Sequence, residues 1–487
     1  MSRLLESRIT RWGAVTLALA LFGVTNLPWH LDDYDQAKQA FTSFEMVESG
    51  HWLYQHTPNR WVATKPPLVG WISAAVYGIT RSWELAWRLP SFLAAIGLLV
   101  LVTRAAGSYG AVASLIAASA FSLNLLTPRL ASLVRTDMPL ALVLFGAGLV
   151  IWNKARERTR WTSRDQLILF ALLSAGMLIK GPIVYAFLLP GVVAVEWLSR
   201  RRRVANPAWS GWLPWLLSFL VFLIWVGGGI LFVPDFTEHV VLREFAGRFS
   251  DEVHRSQPFY YYLPHLLHRF APWSLLLIGL AFLTRKPEEG SSAPRTAGLS
   301  LPTFWLLAWS IGGLIVMSCV PSKRIDRIFP IIPPLCLLLG VLATDARGRF
   351  GRAVDRLCVI ALGLAVLGTT AYTVQKTIAA QREQRDAFAV FGRAVVREVA
   401  AHQWRYALVG RDDEGLALYV RRIEFLNPYQ GVAEWNAGRV DALVVPEDDL
   451  PKILPLLNPP EPTRALTSGQ AGRYRRRYVL LAKRSSA

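Results

Sequence analysis

The chain has 487 residues, of which 53% are hydrophobic and 19 are tryptophan, against ~45–50% apolar for an ordinary soluble domain. Its formal charge of +19 resides in arginines clustered in short loops between apolar runs. That is the positive-inside pattern, not the contiguous basic face that nucleic acid requires, so nucleic-acid binding is excluded as a function class.

Eleven apolar runs follow one another along the chain: 12–28, 89–103, 111–127, 138–152, 167–179, 183–198, 212–233, 266–283, 303–320, 328–342 and 357–374. Each approaches the ~17–25 residues of a membrane span, so the chain reads as an all-α polytopic membrane protein. The first run lacks a small-residue cleavage site and follows Arg3, Arg8 and Arg11. It is expected to remain as an anchored helix that starts in the cytoplasm. Cys319, Cys336 and Cys358 lie in or beside apolar runs and offer neither a disulfide framework nor zinc spacing.

LDDYDQAK (31–38) comes straight after the first run. Asp33 with Gln36 fits a capping box at a helix start, and Asp35 and Lys38 then share one helical face. Asp32 has no derivable role. The next apolar stretch, PPLVGWISAAVYGIT (66–80), is short against the ~20 residues a span needs. If it crossed the membrane, every later basic loop would invert. It is therefore expected to lie in the outer interface, anchored by Trp71 and Tyr77.

With that assignment Arg104 and the basic loops at 154–164, 200–203, 285–295 and 347–352 all fall inside. The segments 129–139, 179–182, 234–264 and 321–327 fall outside. Asp35, Lys38, Lys65, Asp137, Lys180, Lys323, Arg324 and Arg327 then sit near helix ends at the outer face. Lysines and arginines often snorkel from such positions. Here four outer loops each place a charge next to Pro or Gly, which raises a functional reading to equal standing with snorkelling.

After about 375 the chain becomes charged. Helical REQRDAFAVFGRAVVREVAAH precedes the strand-like runs YALVG, LALYV, DALVVPEDD and YVLLAKR. A small α/β domain is expected over 377–487, outside the membrane, after a transmembrane domain over 1–376. It carries no phosphate-binding loop and no metal spacing, so a structural or docking role is expected.

Several ordered motifs carry a family resemblance. They are DQAKQAFTSFEMVESGHWL (35–53), TKPPLVGW (64–71), RLPS (88–91), RTDMPLAL (135–142), IKGPIVYAFLLP (179–190), REFAGRF with QPFYYYLPHLL and PWSLL (243–277), and SKRIDRIFPIIPPL (322–335). Together they resemble the lipid A aminoarabinose transferase and protein O-mannosyltransferase-like families. These are polyprenyl-phosphate-sugar-dependent membrane glycosyltransferases of the C-type fold, in which the first outer loop reads roughly D-E-x-R-Y-A…M…S-G-D-W…E-K-P-P. The resemblance runs over roughly 10–345, in order.

It implies an inverting transferase in a bacterial inner membrane, with its site on the periplasmic side. The partners implied are a polyprenyl-phosphate sugar donor, a glycolipid or protein acceptor, and membrane lipids. Asp35 takes the catalytic register by its distance to Met46, Ser49 and Gly50, and Asp137, which matches the acidic residue of the second outer loop, is the second expected catalytic residue. Gln36 stands where the family has Glu, and Lys38 where it has Arg. Lys65 matches the lysine on the donor phosphate, Lys180 that of the K-G motif and Lys323 that of the later outer loop, and these three with Lys38 and Arg327 are the expected ligands of the donor phosphate. Arg327 replaces a usual tyrosine and adds a cation. The family's metal-holding glutamate and histidine are here Thr64 and Phe245, so no metal cofactor is expected and aminoarabinose is not fixed as the sugar. Two alternatives stand beside a glycolipid acceptor: a protein acceptor, or a lipid or solute transporter. Against the transporter, no inverted repeat is seen and the charges lie at one face.

Overall fold

The computed structural model describes residues 2–31, 33–203, 209–246, 256–285, 299–383, 388–410, 413–458, 462–470 and 475–483. Asp32 and most of the expected inner loop at 285–295 lie outside them. The chain forms two compact units, one of residues 1–25, 64–69 and 89–374, the other of residues 26–63, 70–88 and 375–487.

The first unit is a helical bundle. Among the described residues, seven helices of the chain are long and apolar enough to cross a membrane: Trp83–Gly107, Asp137–Glu157, Ile183–Arg201, Leu213–Phe232, Leu301–Cys319, Ile325–Phe350 and Arg352–Arg382. The protein is thus a multi-pass helical membrane protein. Ile325–Phe350, with 89% of its apolar stretch buried, is the most enclosed of them. Ile183–Arg201 and Leu301–Cys319 pack at backbone distance because Gly191 and Gly312 face the partner helix. A Cβ on Gly191 would stand 2.9 Å from the Trp309 backbone, and one on Gly312 2.7 Å from Pro190. Such close seams are how helices gain packing energy in lipid, where the hydrophobic drive between them is absent.

The other expected spans appear as shorter or more polar helices: Arg8–Val24, Ala111–Ser122 and Ser163–Lys180. The run 266–283 differs from expectation. It is a broken pair, Phe259–Arg269 and Trp273–Thr284, bent by 98°. Pro272 stands at the break, and its ring and missing N–H prevent the helix from continuing.

The second unit joins the first outer loop to the C-terminal segment. Helix Tyr34–Ser49 starts at Asp33, whose carboxylate accepts from the backbone N–H of Asp35 at 3.0 Å and of Gln36 at 3.3 Å. It ends at Gly50, whose φ of 78° is the left-handed cap that glycine adopts without strain. After it come the short antiparallel strands β1 (His56–Thr57) and β2 (Trp61–Val62). Helix Leu68–Thr80 has only 13 residues, and Tyr77 stacks on Trp83 with ring centroids 3.9 Å apart.

The C-terminal segment folds as helix Phe388–His402 and a four-stranded mixed sheet. Its strands β3 (Tyr406–Leu408), β4 (Ala442–Pro446), β5 (Thr463–Thr467) and β6 (Tyr478–Ala482) lie in the order β3-β4-β6-β5, with only β3 and β4 parallel. LALYV, expected as a strand, is helix Glu414–Tyr419. Every residue of that helix is buried, so the run shows no alternation and its period cannot separate strand from helix.

Glu414–Tyr419 packs on helix Tyr34–Ser49. The Leu31 N–H donates to the Tyr419 hydroxyl at 3.1 Å, and Asn59 exchanges two hydrogen bonds with the Phe425 backbone at 3.2 and 2.7 Å. Arg393 pairs with Glu84 at 2.9 Å. The C-terminal segment therefore docks on the loop that carries Asp35.

Candidate functional site

In the first unit, Lys65, Lys180 and Arg327 line one cavity of about 240 Å³. Its walls are largely apolar, with Phe222, Trp225 and Met317 among them, and Pro66 and Pro182 stand at its chain turns. Lys180 is the last residue of helix Ser163–Lys180, where the helix dipole favours a cation. The next residue, Gly181, has φ 75° and ψ −157°. An L side chain rarely adopts that conformation, and a Cβ there would also meet the Phe222 ring at 3.2 Å. Pro182 then caps helix Ile183–Arg201, so K-G-P is a reversal that leaves the ammonium at the cavity.

Each cation already has partners. Lys65 pairs with Glu244 at 2.8 Å, the glutamate standing on a π-helical turn, Thr237–Ala246. Lys180 is bound to Asp137, with both side chains only 9% exposed. Arg327 donates to the backbone carbonyl and, at 3.0 Å, to the hydroxyl of Ser322. Three cations and two carboxylates thus meet in and behind an apolar hollow. An incoming anion must compete with Glu244 for Lys65 and with Asp137 for Lys180, and only the part-exposed Glu244 can turn towards solvent when displaced.

The remaining expected residues are placed elsewhere. Lys323 is buried and donates from Nζ to the Gln257 carbonyl at 3.0 Å, outside the cavity lining. Asp137 is buried at the first turn of helix Asp137–Glu157, where it serves as the counter-ion of Lys180. Asp35 and Lys38 belong to the second unit, in the first turns of helix Tyr34–Ser49, with Lys38 Nζ 5.9 Å from the centre of the Tyr34 ring.

Two acidic residues were not singled out from the sequence. Glu244 lies in REFAGRF and Asp326 in SKRIDR. Asp326 is buried and holds Arg129 at 3.1 Å and Arg135 at 2.9 Å, which ties the second outer loop to the later one. Their only signal was membership of charged motifs next to helix ends.

The residues described at the cavity offer a metal few donors. Thr64 offers a single hydroxyl there, and Glu244 is engaged by Lys65. Zinc prefers imidazole, thiolate and free carboxylate donors.

Comparison with known proteins finds relatives of the kind the motifs resemble. Residues 64–226 match the family model described as dolichyl-phosphate-mannose-protein mannosyltransferase. An undecaprenyl phosphate-alpha-4-amino-4-deoxy-L-arabinose arabinosyl transferase from Edwardsiella ictaluri is 24% identical over 352 residues, 71% of this chain and 62% of its own length. That from Erwinia tasmaniensis is 26% identical over 343 residues, 69% of this chain and 60% of its own. The crystal structure of ArnT from Cupriavidus metallidurans bound to undecaprenyl phosphate superposes with a TM-score of 0.71 at 18% identity, covering 99% of both chains. The chain thus has the fold of that transferase along its whole length and is similar in sequence to the arabinosyl transferases. An Archaeoglobus fulgidus oligosaccharyltransferase shares the fold more distantly, with a TM-score of 0.50 and 11% identity over 94% of this chain and 71% of its own. The matches to the two arabinosyl transferases thus span about three fifths of those proteins' own lengths.

Proposed function

We propose that the protein moves a sugar from a polyprenyl-phosphate donor to a glycolipid acceptor, lipid A or a related envelope lipid, at the periplasmic face of a bacterial inner membrane. The observation that carries this reading is the apolar cavity lined by Lys65, Lys180 and Arg327. A lipid phosphate needs apolar walls for its first isoprene units and cations for its oxygens, and the cavity offers both. The names of the matched relatives supply the donor class, and the lipid A acceptor is what the motif resemblance implies.

In the reaction, an acceptor oxygen attacks the anomeric carbon while the bond from that carbon to the phosphate oxygen breaks. The phosphate keeps the electron pair and gains a negative charge. Cations placed on it stabilise the transition state more than the ground state, because the charge develops as the bond opens. A phosphate is already a good leaving group, so no general acid is required.

Asp35 takes the proton of a hydroxyl acceptor, or orients an acceptor that is already anionic. Lys38, one turn on, adds a cation on the same helical face. Lys65, Lys180 and Arg327 hold the phosphate, with Lys323 supporting the loop that carries Arg327. Asp137 acts through Lys180 as a positioning residue. A single displacement inverts the anomeric centre. No metal takes part at this cavity.

Eleven crossings are proposed, with the three shorter helices and the broken pair each counted as a span and Leu68–Thr80 lying in the outer interface. That topology puts Asp35, Lys65, Lys180, Lys323 and Arg327 on one side of the membrane. In functional terms residues 1–376 form the transferase domain, and 377–487 form an extracytoplasmic α/β domain that braces the first outer loop.

Titration of the detergent-solubilised protein with undecaprenyl phosphate tests the cavity assignment. Lys65→Met and Arg327→Met should each weaken binding by roughly tenfold, which corresponds to one charge-assisted hydrogen bond of ~1.4 kcal/mol. Binding left unchanged in both variants would remove the cavity from the donor site.

A further inference from the structure

The far end of helix Tyr34–Ser49 and the loop after it bring together Glu45, His51 and His56, whose ligand atoms all lie within 4.8 Å of one another. Glu45 is 3% exposed, a rare position for a carboxylate unless it is bound to something. Its Oε1 stands 2.5 Å from His51 Nδ1 and 3.8 Å from His56 Nδ1, and the two imidazole rings are 4.3 Å apart. Its Oε2 accepts from the His56 backbone N–H at 3.3 Å.

A plain His51–Glu45 ion pair would account for part of this cluster. It leaves His56 Nδ1 buried without a hydrogen-bond partner and directed at an oxygen that His51 already holds. An imidazole nitrogen stranded in that way costs about 1–3 kcal/mol. Two imidazole nitrogens and one carboxylate oxygen converging from three chain positions are a donor set for zinc, with a fourth position left for water.

We propose that Glu45, His51 and His56 form a zinc site that pins the end of the Asp35-bearing helix to strand β1. Tetrahedral zinc with bonds of ~2.0–2.1 Å spaces its ligand atoms by roughly 3.3 Å. The 3.8 Å pair is close to that spacing, and the 2.5 Å pair must open. His51 is the ligand able to move, because its side chain is 42% exposed while that of Glu45 is 4% exposed. The site uses none of the cavity's residues and lies ten positions along the helix from Asp35. Its role is to brace that helix, and it takes no part in the transfer chemistry.

The test uses the full-length chain in detergent micelles, with affinity tags removed, stripped with EDTA and dialysed against buffered free zinc. Elemental analysis should find one zinc per chain in the wild type and in His239→Ala. It should find less than about a tenth of that in His51→Ala, His56→Ala and Glu45→Gln, since losing one of three protein ligands removes most of the chelation. His51→Ala alters a half-exposed side chain and keeps the test open if a buried variant fails to fold. Cobalt substituted for zinc should give tetrahedral visible absorption in the wild type and in His239→Ala, and not in the three ligand variants. A wild-type chain that takes up no zinc, or a His51→Ala chain that takes up as much as wild type, overturns the assignment.

Discussion

Asp137→Asn keeps the shape of the side chain and removes the charge that Lys180 is paired with. Both side chains are 9% exposed, so the lysine would be left as an uncompensated buried cation. Breaking a buried pair in this way costs about 3–5 kcal/mol, against ~1 kcal/mol or less for an exposed pair. Adding Lys180→Met removes the stranded charge and keeps the volume of the lysine stem. The double variant should therefore recover most of the loss, with an interaction energy of at least about 2 kcal/mol in the double-mutant cycle. Thermal unfolding in one detergent, followed by tryptophan fluorescence, reads all four corners of that cycle. If Asp137→Asn stays within ~0.5 kcal/mol of wild type, or the double variant is the least stable of the four, Asp137 is not the buried counter-ion of Lys180.

Glu244→Gln frees Lys65 from its carboxylate, and the pair is part-exposed, so undecaprenyl phosphate should bind roughly fivefold tighter, about 1 kcal/mol; weaker binding in a titration would contradict this. Asp326→Ala removes the buried carboxylate that Arg129 and Arg135 share and should destabilise the bundle by roughly 3 kcal/mol in the same thermal assay. In the C-terminal sheet, the hydrogen bonds from Arg405 hold the Asp441 carboxyl below its usual range. A depressed carboxyl gives stability that is full above its unfolded pKa of ~3.9 and is lost as pH falls through the folded value. Hydrogen exchange at β3 and β4 should accordingly speed up below pH ~4 in wild type, and Asp441→Asn should flatten that acid-side change.

The sequence revealed the membrane class because length and apolarity are properties of single segments. Lys65, Lys180 and Arg327 were legible as candidates because each is a charge near a helix end within a motif of the resemblance, and they line one cavity. Their partners were not visible in the same way. Glu244 is 179 residues from Lys65, and Asp326 is 197 and 191 residues from Arg129 and Arg135. Nothing in the local chain indicates which acid meets which base across such distances. The Asp33 cap was legible because it is a contact within one turn. The bend at Pro272 was hidden inside an apolar run that composition alone makes continuous, and LALYV was hidden because full burial erases the period. Glu45, His51 and His56 escaped notice because their spacing crosses a helix end and matches no fixed ligand pattern.

The most direct test supplies inner-membrane vesicles containing the protein with polyprenyl-phosphate sugars labelled in the sugar. Label should pass to a lipid acceptor in wild-type vesicles. In Asp35→Asn vesicles with the same protein level, transfer should fall to background. Transfer that persists undiminished in Asp35→Asn, or wild-type vesicles that move no label from any donor of this class, would contradict the proposed transferase.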